Sequence, residues 1–132
     1  MVAAAETGKP ASILIVEDEA LVATLIREMI GGMGFAATGI AASGSEALAL
    51  VEVERPTIAL IDIRLAGPVD GIDLACRLRR DHGIPAIFLS GGIDPATALR
   101  AQAAQPLGLI QKPFRPSEVF NAIERALATM RA

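Results

Sequence analysis

The run Thr57-Ile58-Ala59-Leu60-Ile61-Asp62 constrains the fold of this chain more than any other stretch. Largely apolar residues lead straight into one carboxylate, with Pro56 before them and Gly67-Pro68 shortly after. Such a run reads as a strand buried on both faces, the environment of a parallel sheet covered by helices. A carboxylate in a dry core is costly unless it is paired or metal-bound. Asp62 is therefore expected at the exposed C-terminal tip of the strand, where open parallel sheets place their ligand crevice.

The rest of the chain supplies matching elements. Ala11 to Val16 forms a first apolar strand and runs directly into Glu17-Asp18-Glu19. Leu21, Val22, Leu25, Ile26 and Met29 then recur at helical spacing, and Gly31-Gly32-Met33-Gly34 closes that helix through glycines able to take positive φ. Phe35 to Ala42 reads as a weak second strand. Ser43 with Glu46 three residues later opens a helix running to Glu54, with Ala47, Leu48, Leu50 and Val51 on its apolar face. After Asp62 a loop reaches Asp70, and Gly71 to Asp81 follows as a helix with Ile72, Leu74, Ala75 and Leu78 inward and Arg77, Arg79 and Arg80 outward. Pro85 to Leu89 is another buried strand, ending in Ser90-Gly91-Gly92. Asp94-Pro95 marks a capped helix to Gln105 that is rich in alanine. Leu107 to Gln111 is a last short strand delivering Lys112-Pro113-Phe114. Pro116 opens the final helix, whose stripe is Val119, Phe120, Ile123, Leu127 and Met130.

Strands that alternate with helices in this way imply right-handed crossovers and one parallel sheet with helices on both faces. The expectation is a flavodoxin-like, doubly wound α/β domain with five strands in the order 2-1-3-4-5 and five helices. It takes up residues 11–132 as a single domain with no output domain, after a flexible lead-in over residues 1–10. With 3% aromatic residues, the core must be built from Ile, Leu, Val and Ala. The net charge of −3 gives no general attraction to nucleic acid, and one cysteine, Cys76, excludes an internal disulfide. No apolar run approaches the ~18 residues that span a bilayer, and residues 1–10 lack the pattern of a signal peptide. A cytoplasmic protein without membrane insertion is expected.

In that strand order the polar tips converge. Glu17, Asp18 and Asp62 meet in one crevice, with Ser90 and Lys112 on its far wall. Three clustered carboxylates repel one another unless a cation neutralises them, and an all-oxygen donor set with room for water suits Mg²⁺, or Mn²⁺ in its place. A cation and an ammonium group beside a carboxylate also prepare it for phosphoryl chemistry, because both can share charge on the equatorial oxygens. Aspartate is an established nucleophile in such transfers. Asp62 is the best placed, between the acid pair and Lys112.

The segments Ile13-Leu14-Ile15-Val16-Glu17-Asp18-Glu19, Leu60-Ile61-Asp62, Phe88-Leu89-Ser90-Gly91 and Lys112-Pro113-Phe114 together resemble the response-regulator receiver (CheY-like) domain of two-component signalling. The resemblance covers nearly the whole chain. It implies that Asp62 accepts a phosphoryl group from a sensor histidine kinase or a phosphotransfer protein. It implies that Asp18, Asp62 and the backbone carbonyl of Arg64 bind Mg²⁺, with Glu17 acting through water. Ser90 and Lys112 would contact the phosphoryl oxygens, and the Lys112–Pro113 bond would be cis. The implied output is a phosphorylation-dependent change in binding to a downstream protein, through the face of the fourth helix and fifth strand. The chain would catalyse only its own phosphorylation and dephosphorylation. Receivers usually carry an aromatic switch residue three positions before the lysine, where this chain has Leu109. The segment Pro85 to Ile93 partly resembles the FATGUY subgroup, often stand-alone shuttles, with Ile93 where that subgroup has tyrosine.

Two other functions compete. An Asp-based phosphohydrolase would place a second Asp two residues after the nucleophile, where Arg64 stands. A constitutive, unphosphorylated scaffold would have no need of the acid pair and Lys112. His82, just before Gly83, is expected to be an exposed helix end and not a phosphodonor.

Overall fold

In the computed structural model, residues 10–131 are described. The lead-in expected at 1–10 lies outside them apart from Pro10, which is exposed coil. The described chain alternates strand and helix: β1 (Ser12–Val16), α1 (Ala20–Gly32), β2 (Ala36–Ala41), α2 (Gly44–Val53), β3 (Ile58–Asp62), α3 (Gly71–His82), β4 (Ala86–Ser90), α4 (Pro95–Gln102), β5 (Gly108–Gln111) and α5 (Pro116–Arg131). All neighbouring strands pair in parallel in the order β2-β1-β3-β4-β5. The doubly wound architecture read from the sequence is the one found.

β3 lies at the centre of the sheet, and its alternation divides the core. Ile58 and Leu60 face one side, with Ile26 and Ile30 of α1 and Val119 and Ile123 of α5. Ala59 and Ile61 face the other, with Ala47 and Val51 of α2, Leu74 and Leu78 of α3 and Ala101 of α4. Successive side chains of a strand point to opposite faces, so one apolar run serves both cores. Every residue of β3 is buried, Asp62 included.

The helix termini follow local chemistry. The hydroxyl of Ser43 accepts from the N–H of Glu46 at 3.1 Å, and the carboxylate of Glu46 accepts from the N–H of Ala42 at 2.9 Å. Asp70 caps α3 by accepting from the Asp73 N–H at 2.9 Å, and Gly83 ends that helix with φ of 67°. Asp94 caps α4 on the Thr97 N–H at 2.7 Å.

Several expectations are corrected. The apolar repeat in α1 is buried only in part: Ile26 lies in the core with Ala23 and Ile30, and Val22 and Met29 pack against it, whereas Leu21 is 87% exposed and Leu25 50%. Gly31 and Gly32 remain helical, and only Gly34 takes positive φ, at 90°. Phe35 precedes β2 rather than joining it and stacks on Phe120, the two centroids 6.2 Å apart. α4 stops at Gln102 rather than Gln105, whose own φ is 49°. Phe120 and Met130 lie at the margin of the α5 stripe, partly exposed, and Ala126 takes a buried place instead.

Candidate functional site

The site is assembled at the C-terminal ends of three strands. β1 ends at Val16, so Glu17 and Asp18 leave the sheet together, and the Glu17 N–H donates to Ala41 O at 3.0 Å. β3 delivers Asp62 beside them, since Val16 and Ile61 are partners in register. β5 brings in Lys112, whose N–H donates to Ser90 O at 2.6 Å. Carboxylate oxygens of Glu17, Asp18 and Asp62 all lie within 4.8 Å of one another. Glu17 is 1% exposed and Asp62 6%, while Asp18 is open to solvent.

Lys112 binds this cluster. Its Nζ donates to Glu17 Oε1 at 2.8 Å and to Asp62 Oδ2 at 3.3 Å. The second oxygen of Asp62 accepts from the Arg64 N–H at 2.9 Å, and Glu17 Oε2 accepts from the Glu19 N–H at 3.2 Å. Burial pushes the Glu17 carboxyl above its ordinary 4.5, and the nearby charge of Asp62 adds to that, outweighing the bonds from Lys112 and Glu19. Burial works against the charge on Lys112, but Glu17 and Asp62 more than offset it and the net shift is upward. Three carboxylates facing one ammonium leave negative charge uncompensated. Oxygen donors on half-open walls fit a hard divalent cation that keeps some of its waters.

Ser90 is 4% exposed at the tip of β4, next to β3, where Asp62 pairs with Leu89. Its Oγ accepts from the Gly92 N–H at 3.2 Å, and among the described residues no hydrogen bond joins it to Asp62. The Lys112–Pro113 peptide is cis, as the resemblance implies. His82 sits at the end of α3, half-buried rather than exposed as the sequence suggests, with its Nε2 3.8 Å from a Glu52 oxygen.

Three features escaped the sequence reading. A Cβ on Gly71 would stand 2.1 Å from the Asp62 carbonyl oxygen, so only glycine lets the first turn of α3 close on the peptide of Asp62. The guanidinium of Arg64 leaves the site and donates to Gly92 O at 2.9 Å. Arg100 of α4 pairs with Asp70 at 3.1 Å and Asp73 at 3.5 Å. A glycine straight after a helix N-cap is the only trace of the first in the sequence. The two arginine contacts cross the fold and leave none.

A doubly wound sheet with a carboxylate crevice at the ends of β1 and β3 defines a class of proteins that bind their ligands at a topological switch point. Comparison with known proteins narrows this class. The family model of the response regulator receiver domain matches residues 13–124. The phyllosphere-induced regulator PhyR of Methylorubrum extorquens is 35% identical over 116 residues, covering 87% of this chain and 43% of that protein. The transcriptional regulatory protein PdtaR of Mycobacterium tuberculosis is 32% identical over 127 residues, covering 96% and 62%. Among solved structures, the signal receiver domain of a modulated diguanylate cyclase from Desulfovibrio desulfuricans superposes with a TM-score of 0.88 at 33% identity, covering 93% of this chain and 98% of that one. The chain belongs to the response regulator receiver domain family and is a receiver domain of two-component signalling. It spans less than two thirds of the length of either curated relative.

Proposed function

We propose that Asp62 is the phosphoacceptor of this receiver domain and that residues 11–132 act as one phosphorylation-dependent binding unit. One observation carries the proposal. Asp62 is a nearly buried carboxylate whose two oxygens are separately held, by the Arg64 N–H at 2.9 Å and by Lys112 Nζ at 3.3 Å, beside two further carboxylates. In the proposed step an Asp62 oxygen attacks the phosphorus of a phosphohistidine. The P–O bond forms as the P–N bond breaks, and the imidazole leaves with the electron pair.

Glu17, Asp18 and Asp62, with the carbonyl of Arg64, would hold Mg²⁺, which when bound supplies positive charge for the phosphoryl oxygens. Lys112 is placed to contact one of those oxygens, and the Ser90 hydroxyl keeps a proton to donate to another. Arg64 stands two residues after Asp62, where a phosphohydrolase would carry an acid, so the phosphoryl group is transferred to the chain rather than turned over on outside substrates. The donor is a sensor histidine kinase or a phosphotransfer protein of the cytoplasm. The response leaves through the α4 and β5 face to a protein partner, and nucleic-acid contact forms no part of the proposal.

The test is labelling by phosphorylated kinase or by acetyl phosphate. The wild-type chain is expected to take up label only with Mg²⁺ present, and Asp62→Asn to take up none. Equal labelling of Asp62→Asn, or none of the wild type, contradicts the proposal.

A further inference from the structure

We propose that the side chain of Arg64 carries the state of Asp62 to α4, by exchanging the Gly92 carbonyl for a phosphoryl oxygen. The inference rests on Asp62 being the phosphoacceptor. Arg64 is tied to both ends of this route. Its main-chain N–H donates to Asp62 Oδ1 at 2.9 Å, while its guanidinium donates to Gly92 O at 2.9 Å, in the loop that follows Ser90. Gly92 has φ of 128°, a conformation that only glycine holds without strain, so the loop is shaped to present that carbonyl. Two residues further on, Asp94 caps α4. Four residues therefore connect the site to the helix: Asp62, Arg64, Gly92 and Asp94.

The helix at the far end is lightly held. α4 buries a single residue, Ala101, and Leu99 is 70% exposed. Its other tie is Arg100, paired with the partly exposed Asp70 and Asp73. Exposed pairs of this kind are weak, and an element with few buried contacts opens at low cost. A phosphoryl oxygen carries formal charge and the Gly92 carbonyl does not. Charge-assisted hydrogen bonds are the stronger kind, so a phosphoryl group on Asp62 draws the guanidinium inward and frees Gly92. The position three before Lys112 offers no aromatic ring for the same purpose: it is Leu109, 56% exposed on β5.

Hydrogen exchange on the full chain tests this, with Mg²⁺ and beryllofluoride as the phosphoryl mimic and its binding followed by fluorine NMR. In the wild type the mimic is expected to raise exchange of the amides from Gly91 to Gln102 by about two- to fivefold, the range of one exposed charged contact. Arg64→Ala is expected to show that faster exchange before any mimic is added, and little further rise with it. Arg64→Lys, which keeps one charge and one donor direction, should retain part of the response. Arg100→Gln should loosen α4 in both states yet keep the rise on mimic binding, which separates signal transfer from simple anchoring. Wild-type exchange in Arg64→Ala without the mimic overturns the inference, and that comparison needs no ligand. Mimic binding to the wild type with no change from Gly91 to Gln102 overturns it alone, leaving Asp62 as the phosphoacceptor. Failure of the wild type to bind the mimic overturns both.

Discussion

Gly71 and Asp70 show how much of the site depends on residues that carry none of its chemistry. The Asp62 peptide passes so close to Gly71 that a methyl group there displaces backbone rather than a flexible side chain. Gly71→Ala is expected to cost about 1–3 kcal/mol of stability, the usual range for overpacking. It should also slow phosphorylation of Asp62 more than the stability loss explains, and urea melts beside labelling rates would measure the two. Asp70 acts through charge. Partial burial pushes its carboxyl upward, but the Asp73 N–H and the Arg100 guanidinium outweigh that and hold it below the ordinary 3.8. The unfolded chain then takes up a proton at higher pH than the folded one, so this contribution is present above about pH 4 and is lost as pH falls through the folded value. Asp70→Asn can still accept from Asp73 and removes only the charge. Its deficit against wild type should stay below ~1 kcal/mol at pH 6, since the pair is partly solvated, and should shrink in melts below pH 4. A deficit that is flat with pH would contradict the assignment.

At the scale of elements, α1 separates what periodicity reveals from what it hides. Leu21, Val22, Leu25, Ile26 and Met29 fall at helical spacing, and the helix is where they place it. Of these only Ile26 is fully buried, beside Ala23 and Ile30, because apolar residues on most sides leave Arg27 and Glu28 as the helix's only charged marks of orientation. Ile26→Ala is therefore expected to cost about 2–5 kcal/mol. Leu21→Ala, at a position 87% exposed, should stay within about 0.5 kcal/mol. Similar losses from both variants in denaturant melts would contradict the assigned orientation. The α3 stripe of Ile72, Leu74, Ala75 and Leu78 was legible because Asp73, Arg77, Arg79 and Arg80 mark its polar side. α4 ended three residues earlier than expected, since Ala103 and Ala104 favour a helix but only Ala101 within it is buried. With so little packing, local propensity decides little there.

Across the whole molecule, the fold and the acid site were legible for the same reason. A parallel sheet needs buried apolar strands, and each such strand shows plainly where it stops being apolar: Glu17 after Val16, Asp62 after Ile61, Ser90 after Leu89. Those stops are the site. Contacts that bind distant loops without interrupting an apolar run, such as Arg64 to Gly92 and Arg100 to Asp70, have no comparable mark, and they are the ones the sequence withheld. The proposed function rests on one atom group, the carboxylate of Asp62, which chemical trapping can read out. Borohydride reduces an aspartyl phosphate to homoserine, a change readable by peptide mass spectrometry after reaction with phosphorylated kinase and Mg²⁺. Homoserine is expected at position 62 and at no other acidic residue. Conversion at Glu17, Asp18 or another carboxylate, or phosphate recovered on His82, would contradict it.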